Sequence, residues 1–187
     1  MATISLTAIN AGDDANAEPV DGNFDTIADL LNGNLDDANI LNGGISLSTK
    51  AASENWSSYT VTWTTNGTQP AIGNGTLTGY YLKIGKNVYF RIKLTGGTTT
   101  TWGTGEFIFS LPVNAASDFT DTAIGNFRLR ISAGNNYIGI VYIKTSSTVS
   151  CMVQDSTTGK GTGVGNGAPT GWTSGSYIYL SGVYEAA

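Results

Sequence analysis

Hydrophobic and polar positions change their rhythm once along this chain. Early on, Phe24, Ile27, Leu30 and Leu31 recur at helical spacing and form one stripe. Asp21 or Asn23 can cap the start, acids fall in the first turns, and Gly33 can take the left-handed position beyond the end. The spacing predicts a helix of about three turns, too short to bury its stripe alone. Leu35, Ile40, Leu41, Ile45 and Leu47 follow in Asn-, Asp- and Gly-rich chain, which reads as a connector.

From Tyr59 the period becomes two. Tyr59, Val61 and Trp63 alternate with threonines, and Val88, Phe90, Ile92 and Leu94 alternate with Asn87, Tyr89, Arg91 and Lys93. Residues 80–84 meet that second run across Gly85 and Lys86, a hairpin signal. Phe107, Phe109 and Leu111 repeat the pattern, as do Phe127, Leu129 and Ile131. Further strands are expected at residues 137–144, 148–154 and 176–184, with a long flexible glycine-rich loop at 157–171. The expected fold is all-β: an antiparallel, jelly-roll-like β-sandwich of about eight strands, preceded by the short helix and an extended anchor. Residues 1–50 would form an N-terminal segment, and residues 51–187 a C-terminal β head.

Charge sharpens that division. Asp13, Asp14, Glu18, Asp21, Asp25, Asp29, Asp36 and Asp37 precede the first base, Lys50, so the first 49 residues carry −8. The remainder holds nine bases and six acids, for a total of −5. Two regions of opposite sign suggest two different partners. The acidic part argues against nucleic-acid binding, which needs cations against phosphate. Only 12% of residues are charged, and Thr, Ser, Asn and Gly take their place, as suits strands and turns.

Candidate chemistry is sparse. The chain has no histidine, hence no common general base or metal ligand. Its single cysteine, Cys151, lies in phase with Val149 and Val153 and reads as a buried, inert thiol. Gly159, Lys160, Gly161 and Thr162 superficially suggest a phosphate loop, but glycine stands where a magnesium-binding hydroxyl is needed. Asn32, Asn34 and Asp36 alternate like calcium ligands without the glycine and closing glutamate of that loop. Glu54, Glu106, Asp118, Asp121, Asp155 and Glu185 are scattered, which disfavours a carboxylate pair for glycoside hydrolysis. No enzyme activity, cofactor or metal is expected. Trp56, Trp102 and Trp172 sit among Thr, Ser and Gly, and are candidate glycan contacts through stacking on sugar faces. The competing reading makes them plugs at the ends of the sandwich or at a seam between subunits. Met1 to Asn10 carries no basic, apolar leader, and no run approaches the about 18 apolar residues of a membrane span. The expectation is synthesis in the cytoplasm without a secretory address or membrane insertion.

Several stretches resemble a known family. Asn55-Trp56-Ser57-Ser58-Tyr59, Gly73-Asn74-Gly75-Thr76-Leu77, Ile84-Gly85-Lys86-Asn87-Val88, Phe107-Ile108-Phe109-Ser110-Leu111-Pro112 and Ser181-Gly182-Val183-Tyr184-Glu185 look like the β head of phage tail fibres and other virion surface proteins. Asp21-Gly22-Asn23-Phe24 and Asn32-Gly33-Asn34-Leu35 are similar to the particle-attachment end of such fibres. The resemblance implies a virion structural protein at the particle surface. It further implies a homotrimer, held to capsid or tail proteins through the segment containing Phe24, Ile27, Leu30 and Leu31. One departure is the absence of a long shaft between anchor and head. A capsid decoration protein or short head fibre fits that better than a long tail fibre. A receptor-binding fibre whose head takes host surface glycans is the alternative.

Overall fold

The computed structural model describes Gly22, Phe24, Asp25, Ile27 and residues 55–131, 134–155 and 158–187. The chain divides into two units, Met1–Glu54 and Asn55–Ala187. In the first, Gly22, Phe24, Asp25 and Ile27 are helical, and the Phe24 side chain is exposed. Leu30, Leu31, Asn32, Asn34 and Asp36 lie outside the described residues.

The second unit is antiparallel β structure: β1 (Ser57–Tyr59), β2 (Trp63–Thr65), β3 (Thr76–Ile84), β4 (Asn87–Thr95), β5 (Phe107–Ser110), β6 (Ala123–Arg130), β7 (Asn136–Thr145), β8 (Thr148–Gln154), β9 (Gly161–Gly163) and β10 (Tyr177–Glu185). One 3-10 turn, Ser117–Phe119, interrupts it. Hydrogen bonding runs through a single sheet in the order β1-β3-β4-β10-β6-β7-β8-β5-β2, with β9 paired to β8.

That order forces the sheet to curl. Flat, nine strands at about 4.8 Å spacing would set β1 and β2 roughly 38 Å apart. Yet only residues 60–62 separate them, a link that spans at most about 14 Å. The edges must therefore meet. Tyr59 Oη donates to the Ser110 carbonyl at 3.1 Å, the Thr62 amide to Ser110 Oγ at 2.9 Å, and the Ser110 amide to the Thr62 carbonyl at 3.0 Å. The all-β, sandwich-like expectation holds in that two walls cover a common core. The two separate sheets of a jelly roll are replaced by one sheet folded over on itself.

Inside the curl, Phe90, Ile92, Phe109, Leu129 and Ile131 are buried, as their phase predicts, while Lys93, Arg128 and Arg130 are exposed. The hairpin joining β3 to β4 turns on Gly85 and Lys86, with Ile84 opposite Asn87 and Gly85 at φ +60°, where glycine carries no Cβ penalty. Residues 158–171 of the glycine-rich stretch are more than a featureless loop. They hold β9, with Gly163 opposite Met152, and Gly165 bridges both Glu106 and Ala168.

Gly125 of β6 faces Gly182 of β10 in register. A Cβ on Gly125 would lie 2.0 Å from the Ser181 carbonyl oxygen and 2.6 Å from the Gly182 Cα. These are backbone atoms that cannot swing aside, so Gly125→Ala should cost about 1–3 kcal/mol in denaturant unfolding. Phe109→Ala, which empties a fully buried site, should cost about 3–5 kcal/mol. A loss below about 1 kcal/mol in the same assay would contradict the register, since a one-residue slip turns every side chain to the opposite face.

Candidate functional site

The inward set on β4 is Val88, Phe90, Ile92 and Leu94, all fully or almost fully buried. Its outward set is therefore Tyr89, Arg91 and Lys93. On β10, Ile178 and Leu180 are buried, which turns Tyr177, Tyr179, Ser181 and Val183 outward. On β6, burial of Phe127 and Leu129 turns Asn126, Arg128 and Arg130 outward. Pairing lines these residues into rows. Lys93 is opposite Tyr179 on one side, and Arg128 is opposite Tyr179 on the other. Thr78 extends that row beyond Lys93, and Tyr80 faces Arg91 in the next.

The result is an outer face of alternating tyrosines and cations. Lys93 and Arg128 flank Tyr179 with backbones about 10 Å apart, two strand spacings, and Arg91 and Lys93 are about 7 Å apart along one strand. The Arg91 guanidinium lies 4.5 Å from the centre of the Trp56 ring and 5.1 Å from that of Tyr80, contacts that fix its position. Tyr80 and Tyr179 retain 39% and 41% of their surface exposed. Between them lies a depression of about 150 Å³ lined by Thr78, Tyr80, Arg91, Ile92, Lys93 and Tyr179. The ion pairs among the described residues are Lys86–Glu185 at 3.3 Å and Lys144–Glu106 at 2.8 Å. Arg91, Lys93, Arg128 and Arg130 enter neither, although Arg128 donates to Asn136 Oδ1 at 3.0 Å.

No family model, no curated protein and no solved structure matches the chain. The site therefore has to be read from its own chemistry.

The three candidate tryptophans separate. Trp56 remains 40% exposed at the margin of the tyrosine–cation face. Trp102 and Trp172 are corrected to core residues, at 8% and 6% exposure. Their rings pack 4.7 Å apart, and Phe107 lies 5.1 Å from Trp172 and 5.2 Å from Trp63. Trp172 Nε1 donates to the Gly165 carbonyl at 2.9 Å. This aromatic group offers no ring face to a sugar and fills the core instead. Sequence reasoning missed Tyr80, Tyr179, Arg91, Lys93 and Arg128 as site residues. Their signal was the outward phase of β4 together with the tyrosines of β10, but the rows exist only once cross-strand register is known.

A second polar group sits on the outer face of β5, β7 and β8. Lys144 Nζ donates to Glu106 Oε2 at 2.8 Å, Ser150 Oγ to Glu106 Oε1 at 2.6 Å, and the Tyr142 hydroxyl also donates to Oε1. Burial pushes the Glu106 carboxyl up, but the bonds from Lys144, Ser150 and Tyr142 and the Lys144 charge outweigh it and hold it below its ordinary range. Burial, then the bond to Glu106, pushes the Tyr142 phenol up. A carboxylate held ionised by three donors is a strut that ties three strands together, and is poorly suited to general-acid work. Cys151 is fully buried, and burial followed by the Glu106 charge pushes its thiol up, away from the reactive thiolate. Gly161 and Thr162 belong to β9, so the phosphate-loop-like stretch runs into a strand, without the helix N-terminus such a loop needs. Among the described residues, no group of three or more candidate metal ligands comes together.

Glu106→Gln places an amide donor among three donors and should cost about 2 kcal/mol at neutral pH. Because the folded carboxyl is held low, its contribution is present above the ordinary carboxylate range and is lost as pH falls through the folded value. The stability gap between wild type and variant should thus narrow on acidification in chemical-denaturation curves. A gap that stays constant through the acid range would show that the charge of Glu106 is not what matters.

Proposed function

We propose that this chain is a non-enzymatic structural protein of a phage particle, displayed as a homotrimer at the virion surface. In this reading residues 1–50 attach it to capsid or tail proteins, and the β unit projects outward as a capsid decoration protein or short head fibre. The observation that carries the reading is the division of the chain. One unit ends at Glu54, and the other begins at Asn55 with a core of its own. The first 49 residues, at −8, are set against a net positive remainder. A segment this short cannot supply a large core, so its apolar stripe is available to a partner, and its charge favours a locally basic partner surface. Multiple copies on one particle would add avidity to weak individual contacts.

A second reading is favoured by the tyrosine–cation face: the β unit binds host surface glycans, as a receptor-binding fibre would. Exposed aromatic rings stack on sugars while neighbouring polar groups fix their orientation. The two readings are compatible, since one concerns the anchor and the other the displayed face.

Deleting residues 1–50 should leave a β-rich unit that melts cooperatively but no longer decorates particles lacking the native protein, as scored by electron microscopy. Normal occupancy by the truncated protein would place attachment in the β unit instead. The full chain, at 19.5 kDa, should scatter light as a trimer at three times that mass, and a monomer both in solution and on the particle would remove the trimer from the reading.

A further inference from the structure

We propose that the face built from Tyr80, Arg91, Lys93, Tyr179 and Arg128 is a site for an acidic saccharide, a sugar ring carrying a carboxylate. This deepens the glycan-binding reading and rests on it. Three features of the face lead to this ligand class.

The first is the pairing of ring and cation. Tyr179 stands directly between Lys93 and Arg128, and the depression beside it is walled by both tyrosines and two cations. A half-exposed phenol offers an apolar surface to the C–H face of a pyranose and a hydroxyl to its oxygens. A neutral sugar could accept hydrogen bonds from the cations but would leave their charge unmatched, whereas a carboxylate meets both.

The second is the sign of the charge. Arg91, Lys93, Arg128 and Arg130 form no ion pair among the described residues, and no carboxylate lines the depression. Arg91 is held by the Trp56 and Tyr80 rings. Ring contacts do not use up its N–H donors, so its planar fork stays open to a carboxylate in two-point contact.

The third is the sparseness of the charge, which separates an acidic saccharide from single-stranded nucleic acid. Nucleic acid brings one phosphate per nucleotide, and its binders neutralise a run of them. Here four cations share one face of a β unit whose eight bases and five acids leave only a small positive excess, far short of a run of cations that neutralises successive phosphates. A saccharide with occasional carboxylates matches a few cations interleaved with rings.

The experiment uses the full chain on a glycan array that displays carboxylated oligosaccharides beside their carboxyl-reduced, neutral counterparts. Twelve-nucleotide oligothymidylate serves as a soluble competitor. At least one carboxylated glycan should bind more strongly than its reduced counterpart by about tenfold or more, and added salt should weaken it. Lys93→Gln, an exposed change that the fold tolerates, should remove most of that preference. Tyr179→Ala should weaken carboxylated and neutral forms together by about tenfold, whereas Tyr179→Phe should retain most of the binding. Equal binding of each carboxylated glycan and its reduced partner would overturn the acidic-saccharide site while leaving glycan recognition standing. Absence of binding to every glycan, with particle decoration intact, would overturn this site and the glycan reading but not the attachment reading. Displacement by oligothymidylate at lower concentration than by free acidic saccharide would assign the face to nucleic acid and overturn the proposal.

Discussion

The tie between the two edges of the sheet is the constraint on which the rest of the β unit depends. Residues 60–62 carry the chain from β1, at one end of the hydrogen-bonded order, to β2 at the other. Ser110 accepts from Tyr59 and exchanges bonds with Thr62 across the closure. An open sheet of this length would expose two edges and one entire apolar face to water. Curling it brings its two ends together at this link and turns the apolar face inward. The large aromatic residues follow from the same geometry. Trp63, Trp102, Phe107 and Trp172 fill one part of the buried interior with ring centres 4.7–6.1 Å apart.

A curled sheet also has an outer face whose side chains diverge. Side chains on the convex side are less crowded than those inside, so tyrosines and long cations in adjacent rows can stand apart without excluding one another. Where strands must pack closest, the chain removes side chains altogether: Gly125 faces Gly182, and a Cβ on Gly139 would lie 2.2 Å from the Met152 carbonyl oxygen. The Glu106 group complements this, since its carboxylate gathers donors from β7 and β8 beside the start of β5.

Much of this architecture was legible in the sequence, and the gaps have physical reasons. The alternation at Val88, Phe90, Ile92 and Leu94 reports burial directly, and the two residues at the turn before it fix the hairpin. The same alternation misled at Tyr59, Val61 and Trp63. The inward phase continues unbroken through all three, while the hydrogen-bonding partner changes from β3 to β5. Side-chain period carries no record of that switch. Strand β9 was hidden because two of its three residues are glycine, so no side-chain pattern exists to be read. Trp102 and Trp172 were left open between surface glycan contacts and plugs of the sandwich ends because their neighbours are polar. A neighbour's polarity says little about a side chain on a bridge or turn, whose direction is set by the fold. The tyrosine–cation rows were half visible: the outward phase of β4 was plain, but the positions of Tyr179 between Lys93 and Arg128 depend on β10 inserting between β4 and β6, a non-local pairing that one sequence does not reveal.

That the four cations enter no ion pair among the described residues needs an account, because folded proteins readily surround exposed bases with acids. Repulsion is too weak to demand it. Lys93 and Arg128 are separated by about 10 Å, close to the screening length at physiological salt, so their mutual cost in water is a fraction of a kcal/mol. A surface ion pair would return about 0–1 kcal/mol, of the same small order. Stability therefore neither forbids nor requires carboxylates on this face, and leaving them out costs the fold almost nothing. The consequence falls on binding. A carboxylate of the protein seated beside Lys93 would compete with an incoming anion and would have to be displaced, whereas an open guanidinium and ammonium meet it directly. The acids that outnumber the bases lie elsewhere in the chain, while this face keeps its positive groups accessible, with Arg91 positioned by the Trp56 and Tyr80 rings.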